Sequence, residues 1–134
     1  MPPKKKKADN SAMQELKRDL KAGTPKPVYL FYGEEAFLRD YYLGKLKELI
    51  LPAGLEDFNL HTAKGKACSI DWIEQAVDYL PVMSERTLVV VTDFDLFSQG
   101  EKGRDRLMAI LSALPEYCTL VFVFDLLSPK MDGR

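Results

Sequence analysis

Histidine occurs once in this chain, at His61, and cysteine twice, at Cys68 and Cys118. With so few soft ligands and no CxxC pair, a multi-ligand Cys/His zinc site and a thioredoxin-type redox motif are both excluded. Two isolated thiols and no visible secretory signal fit a reducing compartment, so the expected localisation is cytoplasmic. Long apolar runs are missing too. Runs such as residues 88–91 and 120–124 fall far short of the ~20 residues a membrane helix needs, and no membrane partner is expected. The charge balance is nearly nil, a net −1, but four basic residues sit together as Lys4, Lys5, Lys6 and Lys7, and without them the net charge falls to −5. A domain-wide cationic footprint for nucleic acid is therefore absent. The lysine run reads as a solvated tail, able at most to give weak, salt-sensitive contacts with phosphates.

What is present is an ordinary globular composition: 134 residues, 46% hydrophobic and 29% charged. This length buries roughly two-thirds of the unfolded chain's surface in one domain. Residues 1–10 read as tail and Ser11–Ala22 as a helix, with Met13, Leu16 and Leu20 at helical spacing and Gly23 as its stop. Val28–Tyr32 is a continuous apolar and aromatic strand. A helix is predicted over 34–51, with Leu38, Tyr41, Tyr42, Leu46, Leu49 and Ile50 as its stripe. A short alternating strand is predicted over 57–61, and a polar loop over 64–68. Ser69 is placed to cap a helix over 70–79, whose face is Ile70, Ile73, Ala76, Val77 and Leu80, and Pro81 stops it. Thr87–Thr92 is a strand, residues 93–101 a polar loop, 102–114 a helix, and Cys118–Phe124 the last strand. Strand and helix alternate, and two strands are apolar on both faces. That pattern calls for an α/β three-layer sandwich around a mostly parallel sheet. The functional edge of such a sheet lies at the carboxyl ends of its strands, where Gly33, Glu34, Glu35, Asp93 and Asp125 collect. The chain closes on a polar run with no helix after the last strand, as expected of a domain excised from a longer protein.

The first strand-to-helix turn is where an α/β nucleotide-binding protein carries its phosphate loop. Here it reads Gly33-Glu34-Glu35-Ala36-Phe37-Leu38-Arg39-Asp40. It has one glycine and no Lys-Ser/Thr pair, and two glutamates stand where a triphosphate would lie. The turn is read as one without nucleotide or other cofactor. Leu88-Val89-Val90-Val91-Thr92-Asp93 imitates the strand that carries a Mg²⁺-binding acid, but apolar strands ending in Asp are common because Asp suits the turn that follows. Glu34, Glu35 and Asp93 could alternatively form the carboxylate cluster of a receiver-like phosphotransfer domain. That reading lacks the lysine such a domain needs after its last strand, since the nearest is Lys130. No nucleophilic triad assembles: His61 reads as a surface or edge side chain and Cys118 as core. Residues 80–83 stand apart. Leu80, Val82 and Met83 with Pro81 put apolar side chains where a polar loop belongs. Either a helix end folds back on the core, or an apolar plug is offered to a partner's pocket.

Several segments in order carry a resemblance. They are Pro27-Val28-Tyr29-Leu30-Phe31-Tyr32-Gly33-Glu34-Glu35 with Phe37-Leu38, then Asp57-Phe58-Asn59, then residues 80–91 beginning Leu80-Pro81-Val82-Met83-Ser84-Glu85-Arg86, and then the strand through Leu120 and Phe124. Together they resemble the N-terminal domain of the bacterial DNA polymerase III delta subunit. The resemblance implies a basic tail and helix over 1–24. It implies an AAA+-like domain over 25–134, akin to P-loop NTPases but without a working phosphate loop, and truncated before a helical lid and a collar. It also implies a clamp-loader subunit that binds and opens the sliding clamp, the beta subunit, during DNA replication. Such a subunit hydrolyses no ATP itself, although it serves a nucleotidyltransferase holoenzyme. The other partners implied are the remaining clamp-loader subunits, through the missing domains, and DNA within the full complex. By position, the clamp-binding element is Leu80, Pro81, Val82 and Met83, with Pro81-Val82 where family members carry Leu-Phe. Two readings of other classes stand beside this one: a Mg²⁺-dependent receiver-like phosphotransfer domain and a degenerate nucleotide-binding ATPase domain.

Overall fold

The two most apolar segments form the centre of a four-stranded sheet. The computed structural model describes residues 11–32, 36–95 and 98–124. In chain order the elements are α1 (Ser11–Ala22), β1 (Val28–Tyr32), α2 (Ala36–Ile50), a single turn α3 (Glu56–Asn59), β2 (Leu60–Lys64), α4 (Ile70–Asp78), β3 (Thr87–Thr92), α5 (Gly100–Ser112) and β4 (Cys118–Phe124). The strands run in the order β1-β4-β3-β2, and all three pairings are parallel. Parallel neighbours need crossovers that lay helices over the faces, so the central strands must be apolar on both sides. All of β4, and all of β3 except Thr92, is buried.

Alternation along the strands splits the core into two layers. Val89, Val91, Leu120 and Phe122 face Ile70, Ile73, Val77, Leu107 and Ile110 of α4 and α5. Leu88, Val90, Val121 and Val123 face the other way, toward Leu16 of α1 and Leu46 and Ile50 of α2. The α1–β1 connection is pinned by a polar knot. Tyr29 donates its hydroxyl hydrogen to Asp19 at 2.6 Å and accepts the Lys26 backbone N–H at 2.9 Å, while the Lys26 ammonium reaches the same carboxylate at 3.2 Å. Burial, reinforced by the Asp19 carboxylate, raises the Tyr29 phenol above its ordinary range. On the opposite face Arg106 of α5 bridges Asp71 and Glu74 of α4.

The structure departs from sequence expectation at three places that matter for function. Residues 57–59 belong to α3, and the strand begins at Leu60 and runs through the stretch expected to be loop. Asn59, the last residue of that turn, is fully buried, and backbone groups satisfy its carboxamide. In the loop after β3, Asp93 and Phe94 are buried, with Phe94 against Phe122 at 6.3 Å between ring centroids. Of the α2 stripe only Leu46 and Ile50 are buried, while Leu38, Tyr41 and Leu49 stay exposed. Beside β1, Val28 and Leu30 join Leu107, Met108 and Leu111 of α5 and Phe122 and Phe124 of β4 in lining an apolar groove of about 370 Å³.

Candidate partner-binding site

Residues 80–83 lie between α4 and β3, at the amino end of the sheet. Ser69 caps α4 by accepting the Trp72 backbone N–H at 3.0 Å, which fixes where the helix starts. Its end is decided by Pro81. Leu80, the residue before Pro81, is driven out of the helical region, and the chain has already left the helix at Tyr79 (ψ 132°). Leu80 therefore leaves the helix before its side chain can join the face formed by Ile73, Ala76 and Val77. It is 72% exposed, a correction to its expected place on that face. Val82 is 42% and Met83 82% exposed.

These apolar side chains stand in solvent on a backbone that is tightly held. The Asn59 carboxamide accepts the Val82 N–H at 2.7 Å and donates to the Val82 carbonyl at 2.9 Å, with a further donation to the Leu55 carbonyl at 3.1 Å. A buried side chain thus clamps both polar groups of one loop residue, much as a neighbouring strand would. Met83 follows in the left-handed region (φ 52°). For an unbranched side chain other than Gly this costs about 1–2 kcal/mol. A turn holds it there: the Ser84 hydroxyl donates to the Arg86 carbonyl at 3.0 Å and accepts the Arg86 N–H at 3.2 Å. Beside this turn lies a cleft of about 410 Å³ lined by Gly23, Pro25, Ile50, Pro52, Glu85 and Arg86, with Met83 at its border.

The carboxyl edge of the sheet, where an α/β protein usually binds ligands, presents a different picture. Glu34, Glu35 and Asp125 lie outside the described residues, as do Lys4, Lys5, Lys6 and Lys7. Asp93 is buried at φ 57°, and its backbone N–H donates to the Val123 carbonyl at 2.7 Å, so it continues the sheet into the turn. Cys68 stands next to it and donates its thiol to the Thr92 carbonyl at 3.6 Å. Burial, with a smaller contribution from the Asp93 charge, raises that thiol's pKa. Burial likewise pushes the Cys118 thiol up to about 11, which keeps it protonated and unreactive near neutrality. Among the described residues no three His, Cys, Asp or Glu side chains gather closely enough to hold a metal ion. In receiver-type folds the first strand lies inside the sheet, between the second and third, whereas here β1 is an edge strand beside β4. His61, on the opposite edge strand, packs its ring against Tyr79, 4.9 Å between centroids and tilted by 39°, and its Nε2 is buried without a hydrogen-bond partner. Burial lowers its pKa below 6.5. No helix among the described residues is long and apolar enough to cross a membrane.

Asn59 is the residue that sequence reasoning missed. The segment Asp57-Phe58-Asn59 stands out in the sequence, but nothing local shows that its carboxamide reaches 23 residues along the chain to Val82.

The sequence profile of the family described as DNA polymerase III, delta subunit, matches residues 29–131. Among curated proteins, DNA polymerase III subunit delta of Bacillus subtilis (strain 168) is 31% identical over 122 residues, a match covering 87% of this chain and 35% of that protein. Among solved structures, the Bacillus subtilis DNA clamp loader delta protein shares the fold, with a TM-score of 0.71 at 24% identity over 83% of this chain and 35% of that one. The chain thus spans about a third of the length of the relatives it matches.

Proposed function

This chain belongs to the DNA polymerase III delta-subunit family, and from that premise we propose that it is the part of a clamp-loader subunit that grips the sliding clamp. In this reading residues 25–134 form the clamp-facing, AAA+-like domain, with residues 1–24 as tail and helix. It opens the ring by binding rather than by ATP hydrolysis of its own. Contacts with the other loader subunits and with DNA fall mainly to the remainder of a full-length delta protein.

One observation carries the proposal: Leu80, Val82 and Met83 are exposed on a loop whose backbone is clamped by a buried asparagine. Exposed apolar side chains cost solubility and gain nothing for the fold, while a rigid backbone lowers the entropy lost when they enter a pocket. Small apolar anchors seated this way typically contribute ~2 kcal/mol or more each when truncated. Val82→Asp combined with Met83→Asp is expected to abolish capture of the cognate sliding clamp, because two carboxylates would be desolvated in an apolar pocket. The melting temperature should stay within a degree or two of wild type, since both side chains already face water. Retained clamp binding, or a collapsed melt, sinks the proposal.

A further inference from the structure

We propose that the clamp-facing surface is built from two segments: Phe58 on α3 and Tyr79 at the end of α4 flank Leu80, Val82 and Met83, supply the aromatic anchor those three lack, and sit within an acidic rim that fits a partner pocket bordered by basic side chains. This inference rests on the clamp-binding reading of residues 80–83.

Exposure and connectivity carry it. Phe58, on the single turn α3, is 56% exposed, and Tyr79, just past the end of α4, is more than half exposed. Phe58 immediately precedes Asn59, and Asn59 is hydrogen-bonded to both backbone groups of Val82. The same clamp that holds the loop therefore ties the turn that carries Phe58 to it. Tyr79 immediately precedes Leu80, and one face of its ring is supported by His61. Five large apolar side chains from two chain segments thus share the amino end of the sheet near β2. Aromatic residues dominate protein-interface energetics because they offer large area at small entropic cost. Residues 80–83 contain none.

The exposed charges beside the patch are predominantly acidic. Glu56 and Asp57 precede Phe58, Asp78 precedes Tyr79, and Glu85 follows the loop, all four exposed. The basic group among these stretches, Arg86, is half-buried, and its guanidinium donates to the Glu116 carbonyl at 3.5 Å. An apolar centre with a carboxylate rim is complementary to an apolar pocket with a Lys/Arg border. Such a rim acts mainly on association rate and salt dependence.

The test is binding of the full chain to the cognate sliding clamp, by calorimetry or surface plasmon resonance, at low and high salt. Phe58→Ala is expected to weaken binding at least tenfold while its melting curve overlays wild type. Phe58→Gln, which keeps an exposed side chain of similar length, should weaken binding similarly and guards against a folding artefact. Asp57→Lys with Glu85→Lys should weaken binding severalfold at low salt, and the deficit should shrink at high salt. Wild-type affinity in both Phe58 variants overturns the aromatic anchor, and a charge reversal without effect at low salt overturns the rim. Both are judged against Val82→Asp/Met83→Asp. If that variant is dead while Phe58→Ala and the reversal bind normally, this inference fails and the clamp reading stands. If it still binds, the clamp reading itself has failed.

Discussion

Asn59 and His61 lie two residues apart on either side of the start of β2 and show how differently a buried polar atom can be treated. Asn59 has partners for donor and acceptor alike. Asn59→Ala would leave the Val82 N–H and carbonyl without their partners, at a cost of ~2 kcal/mol. A fall in melting temperature of several degrees should accompany it. The Val82 amide, protected in wild type, should exchange with solvent far faster in the variant, which hydrogen exchange followed by NMR would register. His61 has no acceptor for a proton on Nε2, and burial holds its pKa below the ordinary 6.5. Below about pH 6.5 the unfolded chain takes up a proton that folded His61 resists. Its contribution to stability is therefore complete above that pH and declines as the pH falls through the folded pKa. His61→Gln should flatten the loss of stability seen in melts between about pH 6.5 and pH 5, where protonation of histidine rather than carboxylates begins. A wild-type imidazole titrating at or above 6.5 by NMR would contradict this.

At the scale of elements, two helical glycines make opposite predictions from the same substitution. Gly44 in α2 has open space where a Cβ would go, whereas a Cβ at Gly103 in α5 would lie 2.6 Å from the Gln99 Cβ and 3.3 Å from Ile70 of α4. Gly44→Ala should stabilise by up to ~1 kcal/mol through helix propensity alone. Gly103→Ala gains the same propensity but forces the first turn of α5 apart and away from α4, and should destabilise by ~1 kcal/mol or more. Paired denaturant titrations decide it, and stabilisation by both would show that the contact at Gly103 relaxes freely. Elements with a strong periodic pattern were legible in the sequence: α1, β1, β3 and β4 have their expected bounds, and the Ser69 cap is where it was expected. The α3–β2 stretch was not. A five-residue alternation looks alike for a helical turn running into a strand and for a strand alone, and the choice turns on a long-range partner for Asn59.

The whole molecule is two core layers sharing one sheet, so damage in either layer should be felt throughout. Leu16 of α1 is completely buried among Tyr29, Phe31, Leu88 and Val121. Leu16→Ala should cost ~3 kcal/mol and lower a single cooperative melting transition, with near-UV and far-UV signals moving together. An early, separate loss of helix signal would instead mean that α1 docks as an independent appendage. The two ends of the sheet also divide their roles. At the carboxyl end, Asp93 and Phe94 are buried. At the amino end, apolar side chains turn outward on a clamped backbone.

The sequence alone determined the layer architecture, because runs apolar on both faces, alternating with helical stripes, leave few arrangements other than a covered parallel sheet. It also marked residues 80–83 as anomalous, since apolar residues in a loop violate local expectation wherever they occur. Whether those residues fold back or stand out was settled only by tertiary structure. The proline ends α4 early, and the partner that fixes Val82 lies 23 residues away in sequence. The strand order was likewise invisible, because each strand's pattern records that it is covered but not which neighbour covers it. Periodicity is a local property of the chain, while register, edge position and long-range hydrogen bonds arise only when distant segments meet.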